Sequence, residues 1–315
     1  MIFTAVRGSL RNALVVLCGA TLAACGLVGG MFGEGVATPK TAADLVLPLD
    51  VYELGPVDDA QVLRARFGLI TECLRQYQID FQAPVVEPAT YPRNADYLGW
   101  IEGREVGRYG YAGPPGYTSV KAMDGFESYS VTDEQFRVLV GKIKRFRGRA
   151  VPPGGCEAKA DSVLNQGAKG VPATEIVKRF NQDEVPGLAS DAAGVAFRDE
   201  RIAAAERSWS DCMERAGFHY RTTSDATGDP RWATTAANDH IDLRRGTPEE
   251  IRTALADSTC RRDVNYYGIR QAVYTEYQNK IIKSHRGRLD TIKALNEARL
   301  ANATKVLNGE ITVTW

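Results

Sequence analysis

Histidine is scarce in this chain, with three residues among 315, at positions 219, 240 and 285. Imidazole is the usual proton carrier near neutral pH and the commonest metal ligand, so its scarcity narrows the available chemistry. The recurrent catalytic motifs are absent as well. There is no H-E-x-x-H, G-x-S-x-G, S-x-x-K or phosphate-binding P-loop, and no G-x-G-x-x-G opening a helix. Charge of one sign is also lacking, because 39 Lys and Arg balance 39 Asp and Glu. A chain without net charge carries no general electrostatic footprint for nucleic acid, and no nucleic-acid partner is expected. The one basic run, GKIKRFRGR at 141–149, reads as the solvated end of a helix.

Two acid–base candidates remain. Asp239 and His240 lie in a polar Asn-Asp-His-Ile-Asp stretch, where a carboxylate could orient an imidazole, although sequence neighbours seldom reach that geometry. Glu102 and Glu105 in WIEGREVGR invite comparison with a glycosidase acid pair, but their spacing fixes no distance between carboxyl groups, and a solvated turn explains them better. No catalytic residue, metal ligand or cofactor is assigned.

The amino-terminal stretch is informative. Arg7 and Arg11 precede a short apolar run at 12–24, the layout of an export signal. Leu22-Ala23-Ala24-Cys25 resembles the bacterial lipobox, in which the Cys receives diacylglycerol and becomes the new N-terminus. An uncut anchor is the alternative, since 13–32 is nearly charge-free and of bilayer length. Glycines at 19, 26, 29 and 30 weaken such a helix, so lipidation of Cys25 is preferred. Two acyl chains hold a protein stably at a membrane without a transmembrane helix. Residues 1–24 are thus read as a lipoprotein signal and 25–47 as a flexible tether, with a first Cys module at 48–185 and a second at 186–315. The expected location is the outer face of the cytoplasmic membrane.

Export changes the meaning of the cysteines. Once Cys18 leaves with the signal and Cys25 carries lipid, Cys73, Cys156, Cys212 and Cys260 remain, enough for two disulfides in three possible connectivities. No two of them have the close spacing typical of structural zinc. An internal similarity helps to choose. ECLRQYQIDF at 72–81 and DCMERAGFHY at 211–220 share an acid, Cys, a long aliphatic residue and, after four residues, an apolar–polar–aromatic triplet. Tyr77-Gln78 stands where the second copy has Ala216-Gly217. Each copy ends a helical stripe: Val62, Leu63, Phe67, Ile70 and Leu74, with Asp58 and Gln61 as a capping pair, and Val195, Ile202, Trp209, Cys212, Met213 and Ala216. Each then enters an alternating segment that looks like the start of a strand. Downstream, Thr132-Asp-Glu-Gln135 opens a helix over 136–146 before Cys156, and Thr247-Pro-Glu-Glu250 opens one along which Ile251, Leu255 and Cys260 lie. The parallel order suggests Cys73 with Cys156 and Cys212 with Cys260.

Apolar positions recur at helical spacing over 269–307, interrupted only by Gly287. A continuous helix there would reach about 60 Å and outgrow the core, packing against the helix that ends at Cys212; two helices broken near Gly287 are the alternative. The segment RYGYAGPPGY, with Tyr109, Tyr111 and Tyr117 after Trp100, combines flat amphipathic rings with turn-forming residues, as a ligand-contact loop would. Rings covering the core beneath a long loop are the competing explanation. The fold expected is mainly α with short β elements: two related disulfide-stapled halves and a long C-terminal helix.

The lipobox, LPLDVYELG, ECLRQY, SWSDCMERAGFHY and IRTALADSTCRRDVNYYGIRQAVYTEYQ together resemble secreted lipoproteins of actinobacteria whose function is unassigned. The resemblance implies the same envelope address and brings no catalytic residues with it. Expected partners are the membrane, through lipid on Cys25, and a cell-wall polymer or an envelope protein complex. A binding or structural role is favoured over an extracytoplasmic hydrolase acting on wall material.

Overall fold

The computed structural model describes residues 35–114, 117, 131–177, 184–233, 246–311 and 313. Cys25, the signal stretch and His240 lie outside them. Seven helices of seven or more residues occur among the described residues: α1 (Pro56–Arg75), α2 (Asp133–Leu139), α3 (Gly155–Asn165), α4 (Glu184–Ala196), α5 (Glu200–Arg215), α6 (Pro248–Asp263) and α7 (Tyr266–Leu307). The only sheet described pairs β1 (Arg145–Phe146) with β2 (Arg149–Ala150) in antiparallel register, Arg145 opposite Ala150. The chain is mainly α with short β.

The 42 residues of α7 form one helix of about 63 Å. Gly287 does not break it and has open space beside its Cα. Nor does the helix outgrow the core, because three groups of residues bury successive parts of it. Its first turns place Tyr266, Tyr267, Val273 and Tyr274 against Ile202 and Ala205 of α5 and against Leu45, Leu47 and Leu98. Its middle packs Leu289 and Ile292 on Leu49, Tyr52, Val185 and Ala189. Its last turns bring Leu300 and Ala303 to α1 and α3. Hydrogen bonds fix the register: Leu49 N donates to Gln278 Oε1 (2.9 Å), Asn296 Nδ2 to Tyr52 O (3.0 Å) and Gln61 Nε2 to Thr304 Oγ1 (2.7 Å).

Several local expectations change. Residues 35–47, read as tether, lie on the body: Leu45 and Leu47 are buried, and Asn265 binds Val36 O and the Thr38 hydroxyl. Apolar side chains two apart on an extended stretch point the same way, and that suffices to dock it. α1 starts at Pro56 with Gly55 as N-cap, so Asp58 lies inside its first turn and does not cap it. The Thr132 capping box forms, with Oγ1 accepting from Gln135 N and Thr132 N donating to Gln135 Oε1 (2.9 Å), but α2 stops at Leu139. Gly141 there packs against Gly155 at the start of α3; a Cβ on Gly155 would lie 2.3 Å from Leu139 O, and both glycines have positive φ. The basic run is consequently a hairpin and not a helix end. Val195 belongs to α4 and is exposed, since α5 begins only after its Asp199 cap. The alternating segments at 79–81 and 218–220 form no strand.

The disulfides are Cys73–Cys156 and Cys212–Cys260, with Cα separations of 5.6 and 5.7 Å. The first joins the last turn of α1 to the first turn of α3; the second joins the last turn of α5 to the last turn of α6. The order of pairing is thus parallel, while the second partners sit at opposite helix ends. The endings of α1 and α5 themselves match. Ile79 N donates to Leu74 O (3.2 Å) and Phe218 N to Met213 O (2.9 Å), the closure of a Schellman motif. Gln78 (φ 56°) and Gly217 (φ 87°), each five residues after its Cys, take the left-handed conformation.

Candidate functional site

The expected ligand-contact loop is mostly interior. Trp100 is 3% exposed and lies against Tyr267, with ring centroids 4.8 Å apart. Tyr109 and Tyr111 are buried, and Tyr117 is half-buried beside the Tyr91 ring (5.0 Å). Trp100 and Tyr111 also belong to different clusters, the first against α7 and the second between α5 and α6. These rings are not gathered on one face.

What this segment meets is a network of buried ionic and polar groups. Asp257 of α6, fully buried, accepts from Trp209 Nε1 (2.7 Å), Tyr111 OH (3.1 Å), Arg261 Nε (2.6 Å) and Arg261 Nη2 (3.0 Å). Arg261 Nη1 donates to Gly99 O (2.7 Å). The i, i+4 spacing on α6 aligns carboxylate and guanidinium on one face. Burial works against the Arg261 charge, yet the Asp257 carboxylate and its hydrogen bonds hold the guanidinium above its ordinary pKa. Burial, then the Asp257 charge, pushes the Tyr111 hydroxyl far up, so it serves as a donor. Glu250 accepts from Tyr111 N (3.0 Å), and its carboxyl carbon would lie 2.6 Å from a Cβ on Gly110, where φ is +61°. Only glycine fits that close approach. In α7, Arg270 donates to Tyr97 O (2.8 Å), Tyr266 OH (3.1 Å) and Tyr274 OH (3.0 Å).

This network was not legible as a site because α6 turns a polar face inward. Glu250, Thr253, Asp257 and Arg261 are buried, whereas Leu255 is exposed. The available signal was the spacing itself: acids and Arg at 250, 257 and 261 recur on one helical stripe opposite the aliphatic residues. Fully hydrogen-bonded, such a network orders a core.

The remaining candidates are dispersed. Glu102 accepts from Ser258 Oγ (2.8 Å), Arg262 Nη1 (2.8 Å) and Tyr267 OH (3.2 Å), while Glu105 is exposed. His219 and His285 are exposed, the latter on α7 with Nδ1 3.1 Å from Ile281 O. Among the described residues no three His, Cys, Asp or Glu gather as metal ligands would, and no helix is long and apolar enough to cross a membrane.

Two shallow depressions lie on the surface of the described residues. One, of about 510 Å³, is an open groove along the Cys212–Cys260 bond, lined by Arg215, Leu255, Thr259 and Asp263. The other, of about 260 Å³, lies at the end of α1 between Thr71, Arg75, Gln78 and Phe81. No protein family, no curated protein sequence and no solved structure matches this chain. The two disulfides are those of a protein kept in an oxidising, extracytoplasmic compartment.

Proposed function

We propose that this chain is an exported lipoprotein, held on the outer face of the cytoplasmic membrane by a diacylglyceryl group on Cys25, whose folded body binds a component of the cell envelope. The observation that carries the binding role is the division of polar groups. Asp257, Arg261, Trp209 and Tyr111 are sealed inside and hydrogen-bonded to one another, and the described depressions are open surface features. A rigid, stapled body with open surfaces suits holding another molecule. The α1 and α5 endings, each a Cys-bearing turn closed by a left-handed residue, support reading the two halves as related modules joined by α7.

Incubating the full protein with purified cell-wall fragments tests this reading. Retention of the protein without new fragments is the expected result. Appearance of products that a His240→Ala variant no longer makes would replace it with the hydrolase alternative.

A further inference from the structure

The basic run at 141–149 forms the β1–β2 hairpin, and its base is fixed firmly. Phe146 packs edge-on against Tyr77 (6.3 Å, 72°), Tyr77 OH donates to Ala150 O (2.6 Å), and Val151 N donates to Lys144 O (2.9 Å). Beneath lies the buried Cys73–Cys156 bond. Arg147 is taken up by the end of α1, donating to Gln78 O and Gln78 Oε1 (both 3.2 Å). Lys142, Lys144, Arg145 and Arg149 are exposed, Arg145 donating to Gly148 O and Arg149 to Gln76 Oε1 (3.3 Å), and Arg75 is exposed on the adjoining depression, which Asp80 also lines. Among the described residues none of these five forms an ion pair with a carboxylate. The sequence offers no acid between Glu134 and Glu157.

Position selects the partner. The described chain enters the body at Asn265, beside the first turn of α7, whereas α1 meets α7 at Thr304 and carries the hairpin at its far end. Those two levels are about 58 Å apart along the helix. A lead of about ten residues from Cys25 spans at most about 35 Å. The cations therefore lie at the end of the body remote from the anchor.

Resting on the binding role above, we propose that the hairpin and Arg75 form a contact surface for a polyanionic wall polymer bearing phosphodiester or carboxylate groups along its chain. Several cations on a rigid element neutralise successive anions and release their counterions. Affinity then falls steeply with salt, by about fifty- to a hundred-and-fiftyfold between 50 and 200 mM for four contacts.

The test compares the full chain, in neutral detergent, with a Lys142→Gln/Lys144→Gln/Arg145→Gln/Arg149→Gln variant whose two disulfides and thermal midpoint match the parent. Probes are poly(glycerol phosphate), polygalacturonate and, for the lipid headgroup, beads bearing glycerophosphoglycerol, which tolerate detergent and offer no bilayer to the anchor. The parent should bind one or both polymers, the stronger identifying the anion, with the variant at least about tenfold weaker and its salt slope about three lower. Equal binding by both proteins, binding to the headgroup beads alone, or no binding to any probe would overturn the proposal. Retention of the variant on whole wall fragments as strongly as the parent would also remove the hairpin while leaving the binding role standing; failure of both proteins to be retained would remove that role itself.

Discussion

The two ends of α7 bury charge alike but place sulfur and surface charge differently. Around its first turns Glu250, Asp257, Arg261 and Arg270 are buried among aromatic and aliphatic side chains, and the Cys212–Cys260 bond borders an open groove. Around its last turns Arg66, Glu157, Asp161 and Arg299 are buried in an apolar cluster, with Arg66 Nε donating to Asp161 Oδ1 (2.6 Å) and Arg299 Nε to Asn165 Oδ1 (2.7 Å), while Cys73–Cys156 is sealed within it and cations crowd the surface. Similar helix endings thus sit on similarly mixed cores. The ends differ in access to the disulfide and in the charge of the surface.

The largest effect is expected at Asp257. Asp257→Ala leaves the Arg261 guanidinium buried without its carboxylate and should cost about 3–5 kcal/mol, read from urea unfolding. A loss under about 1 kcal/mol would mean that the network does not organise that end. Next come the staples. Replacing either Cys pair by alanine should cost about 2–5 kcal/mol, with the 83-residue separation worth only about 0.5 kcal/mol more than the 48-residue one. The difference should appear in access: under native conditions, reductant and alkylating agent label Cys212 and Cys260 well before Cys73 and Cys156, as mass spectrometry would show.

Smaller changes sharpen the likeness of the helix endings. Gly217→Ala should cost about 1 kcal/mol, whereas Gln78→Gly should be neutral or stabilising by up to about 1 kcal/mol, because each position has left-handed φ. Matching costs at the two sites in a thermal melt would deny the shared conformation. The smallest effect is set by pH. Hydrogen bonds from the Arg201 side chain hold the Asp199 carboxyl down to about 2, and Asp199 also caps α5. A depressed carboxyl pKa stabilises the fold above its unfolded value near 4, and that contribution is lost as pH falls toward 2. Asp199→Asn should flatten the acid limb of the stability profile in that window and leave its shape between pH 5 and 8 unchanged.

Much of the fold was legible where one physical signal acted alone. The Thr132 and Thr247 caps and the long run of apolar positions in α7 follow from local chemistry, and the order of the disulfides from the internal similarity of the two Cys-bearing segments. What sequence missed depended on tertiary competition. α6 buries Asp257 and exposes Leu255 because its partners are Trp209, Tyr111 and Gly99 O, none of which its own periodicity reveals. The tyrosine segment shows the same limit, since rings suited to a ligand are equally suited to a core. Gln78 takes a conformation usually left to glycine, and Arg147 donates to its carbonyl from 69 residues away.

Where the chain is held decides what its folded body can reach. Mass spectrometry of the membrane-bound protein's N-terminus tests this directly: a diacylated Cys25 as the first residue is the predicted result, lost in Cys25→Ser, and an intact Met1 would contradict it.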